Sequence, residues 1–478
     1  MTATLPPQHA TRITPGTGRS VLAERYRAQH RRRAFGQDAL YVTAWLTVAF
    51  PLAFWLHDGG WAAMTASLAG LMTGVGILCG LVATSAMMIM LWLSARVPVI
   101  DRTIGHDRAL ALHKDLGQWT FVGLLLHGSY LVIGYALADH ITPTAELAAL
   151  WGIGDVALAV IAIGLFAVVA ISSVAAARRR LGHEVWQAIH LATYAAILIA
   201  LPHQFTVGGL FAEGPARWAW LAMWGATFFV IIAWRIFLPL FTSWEHRLVV
   251  DRVIQETADT VSIELRGVHL DRLDARAGQF LNWRFLARGL WWHQHPFSLS
   301  AAPRRDRLRI TVRELGEGTR RLATTLKPGT RVMIEGPYGV FTESARTSPD
   351  VVMVAFGIGV APVRSLLEET GFEPGHATVI VRAGAAADLA HLPELTAWCE
   401  ARGARLHIIT GHRGSRADAS TSWLPDSHAG LSLADLAGPL AQADLYICGP
   451  EQATRAVIAE AKRSGVSDER IHHEAFTW

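Results

Sequence analysis

Six long apolar runs occupy most of the first half of the chain, at roughly 39 to 56, 65 to 93, 110 to 138, 151 to 177, 185 to 202 and 216 to 241. Each is about the length of helix that crosses a ~30 Å hydrocarbon core. Arginines set their direction. The RRR at 31 to 33, Arg96, Arg102, Arg108 and the RRR at 178 to 180 fall on one side, and the loops around 57 to 62, 139 to 150 and 203 to 215 on the other. The positive-inside rule then predicts a six-helix bundle in the plasma (cytoplasmic) membrane with both termini cytoplasmic. The lipid bilayer is the first partner the sequence implies.

Outside these runs the chain is different in kind. Charged residues gather in the N-terminal tail and in the second half, so residues 38 to 243 read as a membrane domain followed by soluble ones. The tail, residues 1 to 37, has the Pro/Gly/Thr-rich stretch TLPPQHATRITPGTGRS and then RYRAQHRRR, and reads as disordered and cytoplasmic, not as a cleaved signal. The formal net charge of +4 rests mainly on arginine, with no basic stripe of interleaved aromatics, so no nucleic-acid partner is expected. Cys79, Cys399 and Cys448 are far apart and form no CxxC pair, which indicates neither a disulfide framework nor a zinc site and a reducing compartment for the soluble half.

Two of the apolar runs carry spaced histidines. His113 and His127 bracket HKDLGQWTFVGLLLH, and His190 and His203 bracket HLATYAAILIALPH. Both helices run from inside to outside, so His113 matches His190 near the cytoplasmic face and His127 matches His203 near the outer one. Fourteen residues advance a helix by about 21 Å and return nearly to the same face, whereas thirteen end off it by roughly 140°. The second helix is therefore expected to be overwound, bulged or kinked near its outer end, with Pro202 as the cause. Neutral imidazole is a good axial ligand for haem iron, and iron held by two histidines has no open position, so it passes electrons instead of activating a substrate. Such residues also serve as hydrogen-bonded interior groups in membrane helices. His106 and His183, each seven before an inner histidine and each following a glycine (Gly105 and Gly182), are expected at the aqueous edge, as surface or haem-propionate neighbours. His57 and His140 lie in expected outer loops.

From Trp244 to about 345 the pattern changes to short strands, RLVVDRVI, TVSIELRG, QFLNWRF, HPFSLS, LRITVREL and RVMIEGPYG, which suggest a small antiparallel barrel over 244 to 345. Over 346 to 478, strands alternate with helices, as in VVMVAFGIGVAPVRSLLEE and DLYICGPEQATRAVIAEA, and imply a parallel, doubly wound sheet. HPFSLS at 295 to 300 and GEGT at 316 to 319 are expected at adjacent barrel strands, with the amides that open the helix after GEGT suited to a pyrophosphate. GIGVAP at 357 to 362 is a glycine turn at a strand's end, where the backbone can approach a dinucleotide phosphate. CGP at 448 to 450 is expected across the same crevice.

HPFS, GxxT, GxGxxP and CGP, in this order and spacing, resemble the FAD and NAD(P)H domains of ferredoxin reductases. With the six runs and the two histidine pairs, the chain after its tail resembles the ferric reductase and NADPH oxidase superfamily. The resemblance implies FAD, two b-type haems ligated by His113, His127, His190 and His203, and NADPH or NADH. Hydride would pass from nicotinamide to FAD, and single electrons from there to the inner haem, the outer haem and an acceptor outside. By position, His295, Pro296, Phe297 and Ser298 match flavin-contacting residues, Arg313, Gly316 and Thr319 residues near the FAD phosphates, and Gly357, Gly359, Pro362, Cys448, Gly449 and Pro450 the nicotinamide site. The ending EAFTW supplies an aromatic to stack on the flavin, Phe476 or, since this chain runs two residues further, Trp478. Arg382 and Arg413 are the candidate contacts for the extra phosphate of NADPH.

The acceptor is a small molecule or metal, with dioxygen, ferric chelates and quinones all suited to outer-sphere transfer. Arg217 stands near the outer end of the sixth run as an electrostatic aid to an anion or as an interfacial anchor beside Trp218 and Trp220. The alternatives to the haem reading are a haem-free, membrane-tethered flavin reductase serving a soluble carrier and a haem-binding or haem-moving membrane protein that the soluble half regulates.

Overall fold

A computed structural model of the chain describes residues 17–174, 183–207, 209–412, 423–428 and 430–476. They divide into two compact units, one of Ala34–Ile236 and one that holds the described residues from Phe237 on.

The first unit contains helices α1 (Thr17–His57), α2 (Leu68–Ser94), α3 (His106–Ala138), α4 (Gly154–Ser173), α5 (His183–Ala200) and α6 (Gly214–Ile231). Among the described residues, six stretches are long and apolar enough to cross a membrane: Ala34–His57, Leu68–Ser94, Arg108–Ala138, Gly154–Ser173, Val185–Thr206 and Gly214–His246. They match the expected runs closely, and the sixth continues through a π-helical segment, Ile232–Phe237, into α7 (Leu238–His246). One expectation is corrected at the N-terminus. Residues 17 to 37, read as a disordered tail, are the opening turns of α1; no proline interrupts that helix before Pro51, and its Arg, Ala, Leu and Gln are good helix formers.

Small residues bring α2 and α3 together. A Cβ at Gly134 would lie 2.3 Å from Thr73 Oγ1, one at Gly76 3.1 Å from Leu131, and one at Gly123 3.0 Å from the Ala83 methyl. Apolar chains gain nothing by leaving lipid for each other, so this close backbone approach supplies the packing that holds the pair.

The second unit begins with β1 (Val249–Thr257), β2 (Thr260–Arg266), β3 (Phe280–Phe285), β4 (His295–Ser298), β5 (Arg307–Arg313), α8 (Glu317–Thr325) and β6 (Val332–Tyr338). The strands form two antiparallel sheets, ordered β1-β2-β5 and β4-β3-β6. Single bridges at Val249–Arg331 and Leu299–Ile310 join their edges, giving the expected barrel. Alternate residues of each strand point inward, so Ile263, Leu265, Leu281, Trp283, Ile310 and Val312 are sealed in one core.

Then come β7 (Val351–Phe356), α9 (Val360–Glu369), β8 (Ala377–Ala383), α10 (Leu392–Arg402), β9 (Arg405–Thr410), α11 (Leu433–Ala437), β10 (Asp444–Pro450), α12 (Glu451–Arg463) and β11 (Ile471–Phe476). The five strands are parallel in the order β11-β10-β7-β8-β9. Along β7, Val351, Met353 and Ala355 face a core shared with α9 and α10, while Val352, Val354 and Phe356 face one shared with α11 and α12. Burial on both faces explains why VVMVAF reads as a continuous apolar run.

Candidate redox site

Two histidines of α3, His113 and His127, each face one from the fifth span. The ring centroids of His113 and His190 are 6.2 Å apart, and those of His127 and His203 are 6.4 Å apart. A first-row metal bound to an imidazole nitrogen on each side at about 2 Å, with each ring centre roughly 1.2 Å further back, sets the centroids about 6.4 Å apart. Backbone carbonyls hold the other ring nitrogen. His113 Nδ1 lies 2.9 Å from Met90 O, His127 Nδ1 2.8 Å from Gly76 O, and His203 Nδ1 pairs with Ala200 O. A carbonyl only accepts, so Nδ1 carries the proton in these three rings and Nε2 keeps its lone pair for a metal. At the outer pair the rings open on a cavity lined by Gly80, Leu81, Leu124, Val160 and Phe166, apolar as a porphyrin's faces require. A Cβ on Gly80 would lie 2.5 Å from His127 Nδ1, so only glycine leaves that ring its place.

The thirteen-residue spacing is resolved as expected. Helix α5 stops at Ala200, Leu201 and Pro202 turn, and a one-turn helix restarts at His203–Thr206. Hydrogen bonds of i to i−3 type, Gln204 N to Leu201 O (3.2 Å) and Phe205 N to Pro202 O (2.9 Å), tighten the turn and swing His203 back toward α3. His106 and His183 are the first residues of α3 and α5. Of the two tryptophans beside Arg217, Trp220 is 1% exposed, while Trp218, two residues away on the opposite face of α6, is 71% exposed. Arg217 bonds Ala212 O and lies over the Phe205 ring.

In the second unit the barrel and nucleotide-domain motifs meet. His295 Cε1 lies 3.4 Å from where a Cβ on Gly318 would be, so HPFS and GEGT adjoin. His295 Nε2 is buried with no protein hydrogen-bond partner, a polar atom placed for a bound group. Burial, then the neighbouring His293, push its pKa down to about 4. Phe297 stacks on His295 at 5.7 Å. Pro296 pairs with Asn282, and Ser298 Oγ donates to Glu474 across 3.4 Å. The Thr319 hydroxyl accepts from Leu315 N and Gly316 N and donates to Gly316 O, shaping the turn before α8. Arg313 pairs with Asp259 at 2.7 Å, and its guanidinium lies 3.5 Å from the Cβ position of Gly357.

Gly357 (φ +53°) turns the chain from β7 into α9, and Pro362 is buried in the first turn of that helix. A Cβ on Gly359 would lie 2.2 Å from Cys448 O, and one on Gly449 2.6 Å from Phe356 Cβ. The GIG turn and CGP are thus in contact at the carboxyl ends of neighbouring strands, where dinucleotides bind in such sheets. Cys448 is fully buried, and burial followed by Glu474 raises its thiol pKa, so it packs the strand end and offers no thiolate. Phe476 closes β11 opposite Pro450. Arg382, on β8, bonds Gly411 O at 3.4 Å. Arg413 and Trp478 lie outside the described residues.

A charge network that no local motif announces clamps the barrel to the nucleotide domain. Arg309 of β5 makes two 2.9 Å bonds to Glu394 of α10, and Arg364 of α9 lies 2.9 Å from the same carboxylate and pairs with Glu368. His391, 2% exposed, sits 2.7 Å from Thr311 Oγ1. Burial, reinforced by Arg309, pushes its pKa down to about 3. Burial alone would raise Glu394, but the bonds and charge of Arg309, with Arg364, outweigh it and hold the carboxyl at about 2. Both groups bind fewer protons folded than unfolded, so their contribution to stability is present at neutral pH and lost on acidification. For His391 the loss starts near pH 6.5 and runs toward 3; for Glu394 it runs from about 4.5 toward 2. We expect the melting temperature to fall from pH 6.5 to 4.5 in the native chain and to fall less in His391→Asn, which tolerates the left-handed φ of 58° there. Equal acid sensitivity of the two proteins would remove His391 from this role.

Three family models match the chain: the ferric reductase like transmembrane component over residues 79–201, the FAD-binding domain over 249–342 and the oxidoreductase NAD-binding domain over 353–458. Among curated relatives, a flavohemoprotein of Xylella fastidiosa is 28% identical over 42% of this chain and 51% of its own length. The ferredoxin reductase component of 3-ketosteroid-9-alpha-monooxygenase from Rhodococcus rhodochrous is 29% identical over 48% of this chain and 64% of its own. NADPH oxidase 1 of Mus musculus is 26% identical over 33% and 26%. The chain thus spans about half the length of the first of these relatives, and between a quarter and two thirds of the others. The FAD/NAD-binding domain of a Vibrio cholerae nitric oxide dioxygenase aligns over 48% of this chain and 99% of that one, at 24% identity and a TM-score of 0.40. With a ferric-reductase-like membrane component, an FAD-binding domain and an oxidoreductase NAD-binding domain in succession, the chain carries the domains of a ferric-reductase-like oxidoreductase and is similar to NADPH oxidases.

Proposed function

We propose that the protein is a transmembrane oxidoreductase of the plasma membrane, passing electrons from cytoplasmic NAD(P)H through FAD and two b-type haems to dioxygen or ferric iron on the outer face. The observation that carries this reading is the pair of facing imidazole couples, each separated by the span of one bis-ligated iron, on two helices long enough to cross a bilayer. When bound, FAD would convert the paired electrons of nicotinamide into single ones that the haems relay.

The residues divide the remaining work. His113 with His190 and His127 with His203 would hold the two irons, and the carbonyls of Met90, Gly76 and Ala200 occupy Nδ1 of His113, His127 and His203, which leaves Nε2 of those rings for iron. Helix rise puts the two levels about 21 Å apart, which bridges most of a ~30 Å apolar layer. His295 and Ser298, with Arg313 and the α8 amides, would bind FAD, and Gly357, Gly359 and Gly449 leave backbone room for the nicotinamide nucleotide. Phe476 would cover the flavin until nicotinamide displaces it, a gate of the kind that excludes water between turnovers.

The test uses the full chain purified after haem-replete expression. NADPH is expected to sharpen a paired b-type absorption band, and cytochrome c reduction with and without superoxide dismutase then separates dioxygen from direct transfer. A preparation that binds FAD and oxidises NADPH but carries no haem would replace this reading with the tethered flavin reductase.

A further inference from the structure

Gln204 follows His203 directly, beyond the break that Leu201 and Pro202 make in the fifth span. Its side-chain oxygen accepts two hydrogen bonds, from Trp220 Nε1 at 2.7 Å and from Trp224 Nε1 at 3.2 Å. The two tryptophans are one turn apart on α6 and are 1% and 2% exposed. Both line the cavity on which His127 and His203 open, and so does Gln204.

A carboxamide in an apolar bundle is costly unless its polar atoms are bonded, and an indole N–H at this depth carries the same cost. Here one oxygen, with two lone pairs, satisfies both indoles, and the two donors also fix which end of the amide faces α6. The arrangement matters because of where it lies. In an unbroken helix His203 would be held by the backbone ladder on both sides. In this chain it opens a four-residue helix, tied to the turn before it by the i−3 bonds of its neighbours. Its own Nδ1 contact runs across the break to Ala200, the last residue of α5. The side chain next to it is what fastens the turn to a neighbouring span at the depth of the ring. Two further side-chain contacts of the turn lie beyond Gln204: the Phe205 ring under Arg217, and Thr206, which is exposed and donates to Asp155 at 2.8 Å.

We infer that Gln204 is the positioning residue of the outer haem ligand: by anchoring the broken turn to Trp220 and Trp224 it sets the orientation of the His203 ring and, with it, the electronic properties of the outer centre alone. This rests on the haem reading above and adds to it a residue that touches neither iron nor acceptor. Ring orientation and the hydrogen bond on the distal nitrogen are levers by which a protein tunes a bound metal.

The experiment compares the full-length native chain with Gln204→Leu, Gln204→Glu, Trp220→Phe, Trp224→Phe and Thr206→Val, each purified after haem-replete expression. Haem per chain is counted as pyridine haemochrome, and the two centres are followed by low-temperature electron paramagnetic resonance and by redox titration. Gln204→Leu is expected to shift the low-spin signal and midpoint potential of the outer centre, or to lose up to half the haem, with the inner centre unchanged. Gln204→Glu, which in its protonated form keeps an oxygen acceptor for the two indoles, restores the native low-spin signal. Trp220→Phe, which removes the shorter bond, shifts it more than Trp224→Phe, and Thr206→Val leaves it in place. Should Gln204→Leu fail to fold, the two Trp→Phe variants carry the same test with ring volume largely kept. Native outer signals in Gln204→Leu, equal shifts at both centres, or a Thr206→Val shift as large as that of Gln204→Leu would overturn the inference. A native chain with no haem at all overturns instead the reading beneath it.

Discussion

His113→Leu, purified after haem-replete expression, is expected to hold one haem per chain that dithionite reduces and NADPH does not. His127→Leu is expected to hold one haem that both reduce. The asymmetry follows from depth. His113 and His190 face each other at the end of α3 and α5 from which those helices start, and His127 and His203 fourteen and thirteen residues further along. Removing the nearer centre leaves a gap of more than about 20 Å across apolar side chains, set by the helix rise. NADPH-driven transfer to any outer acceptor should therefore fall below detection in both variants, while the remaining haem reports which half of the path survives. If NADPH reduces the residual haem equally well in the two, the order of the centres proposed here is wrong.

The pairing of those four histidines is legible in the sequence because a helix has a fixed pitch. Fourteen residues return to one face and thirteen do not, so the break at Leu201–Pro202 was expected before any coordinates, and the turn before His203 is that break. The barrel and the parallel sheet were readable for a similar reason, since alternation and glycine turns are local signals. What sequence concealed are contacts between residues far apart in the chain. Gln204 meets Trp220 and Trp224, sixteen and twenty residues on. Glu474, part of an ending noted only for its aromatics, reaches Ser298, 176 residues earlier. Arg309 meets Glu394 across 85 residues, and exposed arginines are too common for one of them to stand out. Nor does composition tell which of Trp218 and Trp220 turns inward on α6, since only packing decides that.

Gly359→Val should abolish NADPH-driven flavin reduction while FAD remains bound and dithionite still reduces flavin and haem. The reason is a close approach of backbones, not a special torsion, because Gly359 has an ordinary helical φ of −58°. Its Cβ would lie 2.2 Å from the Cys448 carbonyl oxygen and 2.7 Å from the carbonyl carbon. Main chain in the middle of a parallel sheet cannot swing aside as the end of a flexible side chain can, so α9 has to lift from β10. That displaces the glycine turn by something like 1 Å, and misplacements of that size cost about 10²-fold in rate where two reactants must be held in register. Overpacking of this kind destabilises a domain by only about 1–3 kcal/mol, so the fold and the FAD site in the barrel should persist. Stopped-flow absorbance of the flavin band after mixing with NADPH checks the result. A native rate would mean that α9 and β10 are further apart during turnover than the 2.2 Å approach implies, and that the nicotinamide nucleotide does not bind between the GIG turn and CGP.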